Sequence, residues 1–238
     1  MKKNNLIKFF CMVYFFLVIF GLFIDDFIGL MCILSIIFLT LYLAKIYPDV
    51  GPILIVALVI RIFLIYVNNN ILVLPDSGED AVYFEGLAYL WSQDGIYTVL
   101  NDHYPGPSSK FYSWMVAVLY SLFGRSVLLA QSLSLIFGMS SIFLGWQIAK
   151  KLWGNSAAIR AGWVIALFPS LVLYSVILMR EVFITFFLLV AFLGVINWVR
   201  DDSFKSIILA MFGFISASLF HGAMIIGLIP FFIIVSLR

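Results

Sequence analysis

The sequence predicts an all-α polytopic membrane protein, and its composition together with its long apolar runs leads to that prediction. Of the 238 residues, 64% are hydrophobic and 11% are charged, and the mean hydropathy is +1.15. A soluble globular domain carries about 25% charged residues. We therefore expect the chain to lie in a lipid bilayer. The formal net charge of +2 is too small to indicate nucleic-acid binding.

The apolar runs are long enough for about eight spanning helices, since one span needs about 20 mostly apolar residues. Two lysines precede the first run, which is the charge pattern of a signal sequence. The run ends in Leu-Phe-Ile-Asp-Asp without a small-residue cleavage site, so we predict an uncleaved first helix. The predicted spans are 6–24, 28–46, 52–68, 127–148, 158–177, 182–199, 204–220 and 222–237.

A polar segment at 68–125 interrupts the spans. We interpret 1–51 as two N-terminal transmembrane helices and 52–238 as a core that carries this segment as a large exterior loop. No internal repeat or low-complexity linker is visible in either part. The division predicts that the polar chemistry belongs to the core.

Two short helices are predicted inside this loop. Residues 80–92 place apolar side chains at helical spacing, with Asp80 or a neighbour as N-cap. The run 111–123 is too short to span comfortably and ends at Gly124, a typical helix stop. We expect both helices to lie in the membrane interface, where Tyr and Trp are favoured.

Charge predicts the orientation, because cytoplasmic loops are enriched in Lys and Arg. With 111–123 at the surface and the N-terminus in the cytoplasm, ten cations lie inside and three outside, the latter being Lys110, Arg125 and Arg180. Nine carboxylates then lie outside and three inside. We predict a multi-pass protein of the cytoplasmic membrane with both termini in the cytoplasm and an acidic exterior face. The ten inside cations are Lys2, Lys3, Lys8, Lys45, Lys150, Lys151, Arg160, Arg200, Lys205 and Arg238.

The acidic stretch 74–85 is the first candidate for chemistry. Asp76 and Asp80 bracket a Ser-Gly-Glu turn just after a predicted span. A carboxylate there could be a general base that takes a proton from an acceptor hydroxyl, or a ligand for a divalent cation. The structural alternative is that Asp76 forms a turn and Asp80 caps a helix.

Arg180 and Glu181 are the second candidate, because they lie between two predicted spans with hardly any loop. An ion pair at the membrane edge could be structural. Arginine also binds phosphate through a bidentate fork, and an exterior arginine departs from the inside preference of the other cations. Arg180 is expected at the depth of a lipid headgroup, level with the acidic stretch.

Three further side chains could contact a substrate. His103 in the loop and His221 in a Phe-His-Gly connection could bind phosphate or assist proton transfer, and an interfacial polar role is the alternative. Arg61 lies near the middle of a span, where a charge is usually paired or faces a cavity, so it could reach a carboxylate of a neighbouring helix or bind a ligand; an architectural ion pair or a snorkelling side chain is the alternative. Neither the histidine spacing nor Cys11 and Cys32, which lie inside apolar runs, predicts a metal site.

An ordered set of motifs runs through about residues 52–200. The set resembles the polytopic GT-C glycosyltransferases, in particular bacterial relatives of protein O-mannosyltransferases and of the transferases that add aminoarabinose to lipid A. The motifs are a span with Arg61, Asp80-Ala-Val-Tyr83, Leu87-Ala88, Tyr104-Pro105, Leu-Tyr-Ser-Leu-Phe-Gly124, Ile-Ala-Lys-Lys-Leu-Trp-Gly154, Ala-Leu-Phe-Pro-Ser170 and Leu-Met-Arg-Glu181.

The resemblance implies transfer of a sugar from a polyprenyl-phosphate donor to an acceptor outside the cytoplasmic membrane. In that family an aspartate of the first large exterior loop is the catalytic base, and this position matches Asp80 or Asp76. Asp80 has the Asp-x-x-Tyr spacing with Tyr83, whereas Asp76 lies nearer the preceding span. Arg180 matches the position of the exterior turn that faces the donor phosphate. Neither the sugar nor the acceptor is implied.

The chain also departs from the family pattern. Two additional spans come first, and the sequence stops at Arg238 where many relatives continue, so we expect either a minimal or a truncated version. A transporter or flippase of lipid-linked sugars and a non-catalytic membrane subunit are the alternative functions. Two halves with interrupted helices at corresponding positions would favour a transporter, and the sequence shows no such pair.

Overall fold

The computed structural model describes residues 26–236, and no residue in that range lies in a strand. The α-helices are α1 (Phe27–Ile46), α2 (Gly51–Asn70), α3 (Asp80–Ser92), α4 (Gly95–Asn101), α5 (Phe111–Phe123), α6 (Val127–Trp153), α7 (Asn155–Leu167), α8 (Pro169–Tyr174), α9 (Glu181–Asp201), α10 (Phe204–Phe220) and α11 (Leu228–Ser236). A 3₁₀-helix, Gly222–Gly227, connects α10 to α11.

Four of these helices, α1, α2, α6 and α9, are long and apolar enough to cross a membrane. The fold therefore agrees with the prediction of an α-helical membrane protein, but the count of eight spans is not confirmed. The predicted span 6–24 lies outside the described residues. α10 has only 17 residues, and the predicted span 222–237 consists of the 3₁₀-helix and the nine-residue α11.

The predicted span 158–177 is interrupted. α7 ends directly before Phe168, which is extended with φ −63° and ψ 120°, and Pro169 begins the six-residue α8. A residue before proline is driven out of the α region by the proline ring, and proline has no N–H to donate. The backbone between α8 and α9 is not helical, yet residues 175–179 are buried. The interruption thus places irregular backbone inside the helix bundle.

Basic residues meet at one end of the bundle. Lys150 Nζ in the last turn of α6 lies 3.5 Å from Asp49 Oδ2 in the α1–α2 turn. Lys151 Nζ donates to Asn197 Oδ1 near the end of α9, at 2.6 Å. The last turns of α6 and α9 therefore lie beside the turn between α1 and α2.

Asp26 joins two helices at the opposite end. Its carboxylate accepts from Gly29 N in the first turn of α1, and from Leu128 N in the first turn of α6, both at 3.2 Å. It also accepts from the hydroxyl of Ser126, the N-cap of α6. One carboxylate thus accepts hydrogen bonds from N–H groups at two helix N-termini, which have no partner within their own helices. Negative charge is favourable at such positions.

The two short helices predicted in the loop are confirmed as α3 and α5 with the predicted bounds. Gly124 ends α5 with φ 84°, a conformation that favours glycine. Asp80 is the first residue of α3, and its N-cap is Glu79, which makes no side-chain capping bond. α5 buries Tyr112 and Val116, so it packs on the core as well as lying at the bundle end. α4 was not predicted.

α9 and α10 are in backbone contact. A Cβ placed on Gly194 would lie 2.4 Å from Ala210 N, and one on Gly213 would lie 2.4 Å from Ala191 N. No side chain fits at those distances, so both positions require glycine, as at close helix contacts in membranes. The Phe220 ring at the end of α10 stacks on that of Phe183 near the start of α9, with centroids 5.0 Å apart.

Candidate functional site

Four polar side chains meet at the Asp26 end of the bundle, where α9 begins. They are Asp76 from the turn before α3, Tyr174 from the end of α8, and Arg180 and Glu181 from the start of α9. About a hundred residues separate the first from the others, so only the tertiary fold brings them together. The sequence singled out three of the four, and Tyr174 was missed.

Asp76 occupies a strained turn. Ser77 N donates to Leu74 O at 3.1 Å, and Asp76 has φ 61°, a left-handed conformation that aspartate tolerates better than most residues. Its carboxylate is exposed. Burial raises the pKa of Tyr174 above its ordinary value, and the nearby charges of Asp76 and Glu181 raise it further. Tyr174 therefore lies near both carboxylates and stays protonated at neutral pH.

Arg180 is held loosely. Its Nε donates to Glu181 Oε1 at 3.3 Å, and its Nη1 reaches Phe220 O at 3.5 Å, the outer limit of a hydrogen bond. The guanidinium carbon lies 5.8 Å from the centre of the Phe84 ring, within range of a cation–π contact. Three of the five N–H donors of Arg180 have no partner among the described residues. These donors are available to an anion.

Arg61 does not contact a carboxylate directly within residues 26–236, although the sequence allowed such a pair. Its side chain is 1% exposed, Nε donates to Ser175 Oγ at 2.8 Å, and Nη1 donates to Ala57 O at 3.2 Å and to Ala166 O at 3.0 Å. Ala166 O lies in the last turn of α7, where carbonyls lose their helical partners. Arg61 therefore supports the interrupted segment. Gly138 of α6 permits the close approach of Ser175.

Gln131 supports the same segment and was missed from sequence. It is 1% exposed, and its Nε2 donates to Val176 O at 3.2 Å. Its amide pairs with that of Asn69 through bonds of 2.8 and 3.1 Å. The amide of Gln131 inside the predicted span 127–148 was the available signal, because such groups commonly bond across helices.

Glu85, the last residue of the acidic stretch 74–85, forms an ion pair in which its own carboxylate is buried and the arginine is half exposed. Arg125 Nε donates to Glu85 Oε1 at 2.9 Å, and Arg125 Nη2 donates to Glu85 Oε2 at 2.8 Å. The hydroxyl of Tyr120 donates to Oε1 at 3.2 Å. Glu85 shares the buried face of α3 with Ala81 and Ala88, and that position was the available signal. The pair borders a cavity of about 250 Å³ lined also by Asn68, Ser77, Ala81, Val82, Val127, Gln131 and Leu178.

The two histidines have different surroundings. His103 Nε2 lies 2.7 Å from Asp94 Oδ2, and its ring stacks on Trp91 with centroids 5.3 Å apart. These contacts join the α4–α5 loop to the end of α3, and they do not involve the four-residue cluster. His221 is exposed and directly follows Phe220, whose carbonyl contacts Arg180. Of the two, His221 is the one beside the cluster.

Asp80 and Tyr83 are exposed on the first turns of α3. The Asp80 side chain makes no hydrogen bond within the described part of the chain, and Tyr83 contacts the ring of Phe84 edge-on at 5.5 Å. No three His, Cys, Asp or Glu side chains in residues 26–236 are grouped closely enough to hold a metal ion. The divalent cation considered from sequence therefore has no preformed ligand set in that range.

No family model matches the sequence, and no curated protein or solved structure matches it either. The likeness to GT-C glycosyltransferases therefore depends on the ordered motifs alone.

Proposed function

We propose that this chain is a GT-C-type glycosyltransferase that moves a sugar from a polyprenyl-phosphate donor to an acceptor hydroxyl at the exterior face of the cytoplasmic membrane. The observation that carries the proposal is that Tyr174 lies near both Asp76, an exposed carboxylate, and Glu181, to which the incompletely bonded guanidinium of Arg180 donates. A base and an anion site are the two groups that this reaction needs.

Asp76 is the base in this proposal. It takes the proton of the acceptor hydroxyl while that oxygen attacks the anomeric carbon of the sugar. The bond between this carbon and the phosphate oxygen breaks, and polyprenyl phosphate leaves with the electron pair. In this scheme Tyr174, which lies near Asp76, donates to its carboxylate and orients it. Asp80 is less suited, because no contact within residues 26–236 places it beside Tyr174, Arg180 or Glu181.

Arg180 stabilises the leaving phosphate in this scheme. The charge on the phosphate grows as the sugar leaves, and preorganised donors at such a position supply much of the rate enhancement of enzymes. Glu181 orients the guanidinium from one side through Oε1. Arg180 keeps donors for the phosphate because its present contacts are few and long.

The purified chain in nanodiscs, supplied with a polyprenyl-phosphate sugar and candidate acceptors, tests the proposal through release of polyprenyl phosphate. Asp76→Asn removes the base and keeps the shape. We expect it to lower turnover by about 10²–10⁴-fold, the usual contribution of a general base.

Asp80→Asn is the matched control, because it removes an exposed carboxylate four residues away that makes no hydrogen bond within residues 26–236. We expect its turnover to stay within about threefold of the parent. A carboxylate that does not take the acceptor proton does not supply the general base's contribution of about 10²–10⁴-fold. Equal turnover in Asp76→Asn and the parent protein would reject Asp76 as the base. Loss of turnover only in Asp80→Asn would assign the base to Asp80.

A transporter or flippase of lipid-linked sugars is the second candidate, because the structure contains interrupted helices that were not predicted from the sequence. The break at Phe168 and Pro169 and the 3₁₀-helix Gly222–Gly227 divide two predicted spans. Discontinuous helices often form the substrate sites of transporters. Movement of a labelled lipid-linked sugar across a vesicle bilayer without release of polyprenyl phosphate would favour this function over transfer.

A further inference from the structure

A cavity with room for about one water molecule lies between α2 and α9, beneath the four-residue cluster. Its volume is about 10 Å³, and Arg61, Glu181 and Thr185 are among its lining residues. A cavity of this volume is at the lower limit for one water, and a buried water usually makes two to four hydrogen bonds. The polar atoms around the cavity therefore decide whether it holds one.

Two charged groups face this cavity without a complete set of partners. Glu181 Oε2 is buried and has no hydrogen-bond partner among the described residues. Arg61 uses Nε and Nη1, while Nη2 has no partner in the same range. Arg61 and Glu181 do not form a direct ion pair there. The Glu181 side chain is 33% exposed as a whole, so the buried part is Oε2, whereas Arg61 is 1% exposed. An unpartnered buried polar atom is costly, so a bridge between Oε2 and the guanidinium would stabilise both.

Water is the bridging species that fits. An anion would be repelled by the Glu181 carboxylate, and a cation would be repelled by the Arg61 guanidinium. A water accepts from Arg61 Nη2 and donates to Glu181 Oε2. Thr185 Oγ1 donates to Glu181 O at 2.9 Å, so its oxygen can accept the second water proton.

We propose that one buried water bridges Arg61 Nη2 and Glu181 Oε2, and that this water-mediated ion pair positions the Arg180–Glu181 turn. The two oxygens of the Glu181 carboxylate then have different partners. Oε1 accepts from Arg180 at the site, and Oε2 accepts from the water that Arg61 holds in the core. The pair is a positioning device and is independent of the reaction proposed above. It also supplies Arg61 with the carboxylate that direct contacts do not provide.

A double-mutant cycle on the full chain in nanodiscs tests the pair by thermal unfolding. Glu181→Gln keeps the side-chain volume and removes the charge, and we expect it to lower the midpoint by roughly 5 °C. In an Arg61→Gln background, where no buried guanidinium remains, we expect Glu181→Gln to lower the midpoint by less than half as much. Glu79→Gln, which neutralises an exposed carboxylate at the same end, is expected to leave the midpoint unchanged.

Equal shifts from Glu181→Gln in both backgrounds would overturn the pair, because they would show that the two groups do not interact. If Arg61→Gln does not fold, a high-resolution crystal structure of the unmodified chain decides. A solvent peak within hydrogen-bonding distance of both atoms supports the bridge. An empty cavity, or direct contact of Arg61 with Glu181, overturns it.

Discussion

The protein contains two Arg–Glu pairs at the same end of its bundle, and they differ in how completely they are bonded. Arg125 and Glu85 form a bidentate pair at 2.8 and 2.9 Å, to which Tyr120 adds a third bond. Arg180 and Glu181 form a single bond of 3.3 Å, and one Glu181 oxygen has no partner within residues 26–236. The first pair has the geometry of a stabilising contact. In the second pair, three N–H donors of Arg180 and one oxygen of Glu181 have no partner within residues 26–236.

The difference follows from the surroundings of each pair. Glu85 lies on the buried face of α3, and Arg125 reaches it from the α5–α6 connection while its guanidinium also stacks over the Tyr89 ring at 4.3 Å. The adjacent residues Arg180 and Glu181 begin a helix and cannot face each other fully. We therefore expect the first pair to contribute to stability and the second to binding.

The largest effect is expected for Arg180→Gln. Loss of the guanidinium should reduce polyprenyl phosphate release by about 10²–10³-fold, the usual result of removing one preorganised donor to a developing charge. The free energy of unfolding should change by about 1 kcal/mol or less, because the present contacts of Arg180 are long. Arg180→Lys keeps the charge but not the fork, so partial recovery is expected. If the turnover of Arg180→Gln equals that of the parent protein, Arg180 does not stabilise the leaving phosphate.

For the pair of Arg125 and Glu85 we expect the reverse, a loss of stability without a loss of turnover. The Glu85 side chain is 9% exposed and that of Arg125 is 49% exposed, so removal of the arginine leaves the more deeply buried charge alone. We expect Arg125→Gln to lower the free energy of unfolding by about 3 kcal/mol and Glu85→Gln by about 2 kcal/mol. Chemical denaturation measures both. Turnover per folded molecule should stay at the parental level, and a loss of turnover with unchanged stability would contradict this assignment.

The smallest effect is expected for Tyr120→Phe and depends on pH. Burial raises the pKa of Tyr120 above its ordinary value, and the Glu85 charge raises it further. The folded state then holds a proton that the unfolded state releases above about pH 10, so this contribution is complete below that pH and is lost as the pH rises. Tyr120→Phe should cost about 1 kcal/mol at pH 7 through the lost bond to Glu85.

Between about pH 10 and 11 the stability of Tyr120→Phe should fall less steeply than that of the parent, by up to about 1.4 kcal/mol per pH unit. Unfolding curves at pH 7, 10 and 11 measure this difference in slope. Identical slopes would show that Tyr120 titrates alike in the folded and unfolded states.

The sequence predicted the parts of the fold that depend on neighbouring residues. The bounds of α3 and α5 follow from apolar spacing and from Gly124, and the four longest apolar helices follow from composition. Pro169 inside an apolar run was a local signal for the broken helix, but the predicted span 158–177 disregarded it. The prediction of an uninterrupted span was therefore wrong for a reason visible in the sequence.

The parts that depend on distant residues could not be read in this way. Nothing local shows that Glu85 pairs with Arg125 rather than with Lys110 or Arg180, because the partner lies 40 residues away. Arg61 and Ser175 are 114 residues apart. The proposal of Asp76 rather than Asp80 as the base depends on the proximity of Asp76 to Tyr174, which also lies far along the chain.

The interrupted helix has a consequence for membrane insertion. α7 has 13 residues, about 20 Å at the α-helical rise, which is shorter than the hydrocarbon core of about 30 Å. Its freed carbonyl at Ala166 and the backbone carbonyl of Val176 receive donors from Arg61 and Gln131, both of which precede them in the chain. During synthesis these donors leave the ribosome first. The side chains that satisfy the backbone of the broken segment are therefore synthesised before that segment.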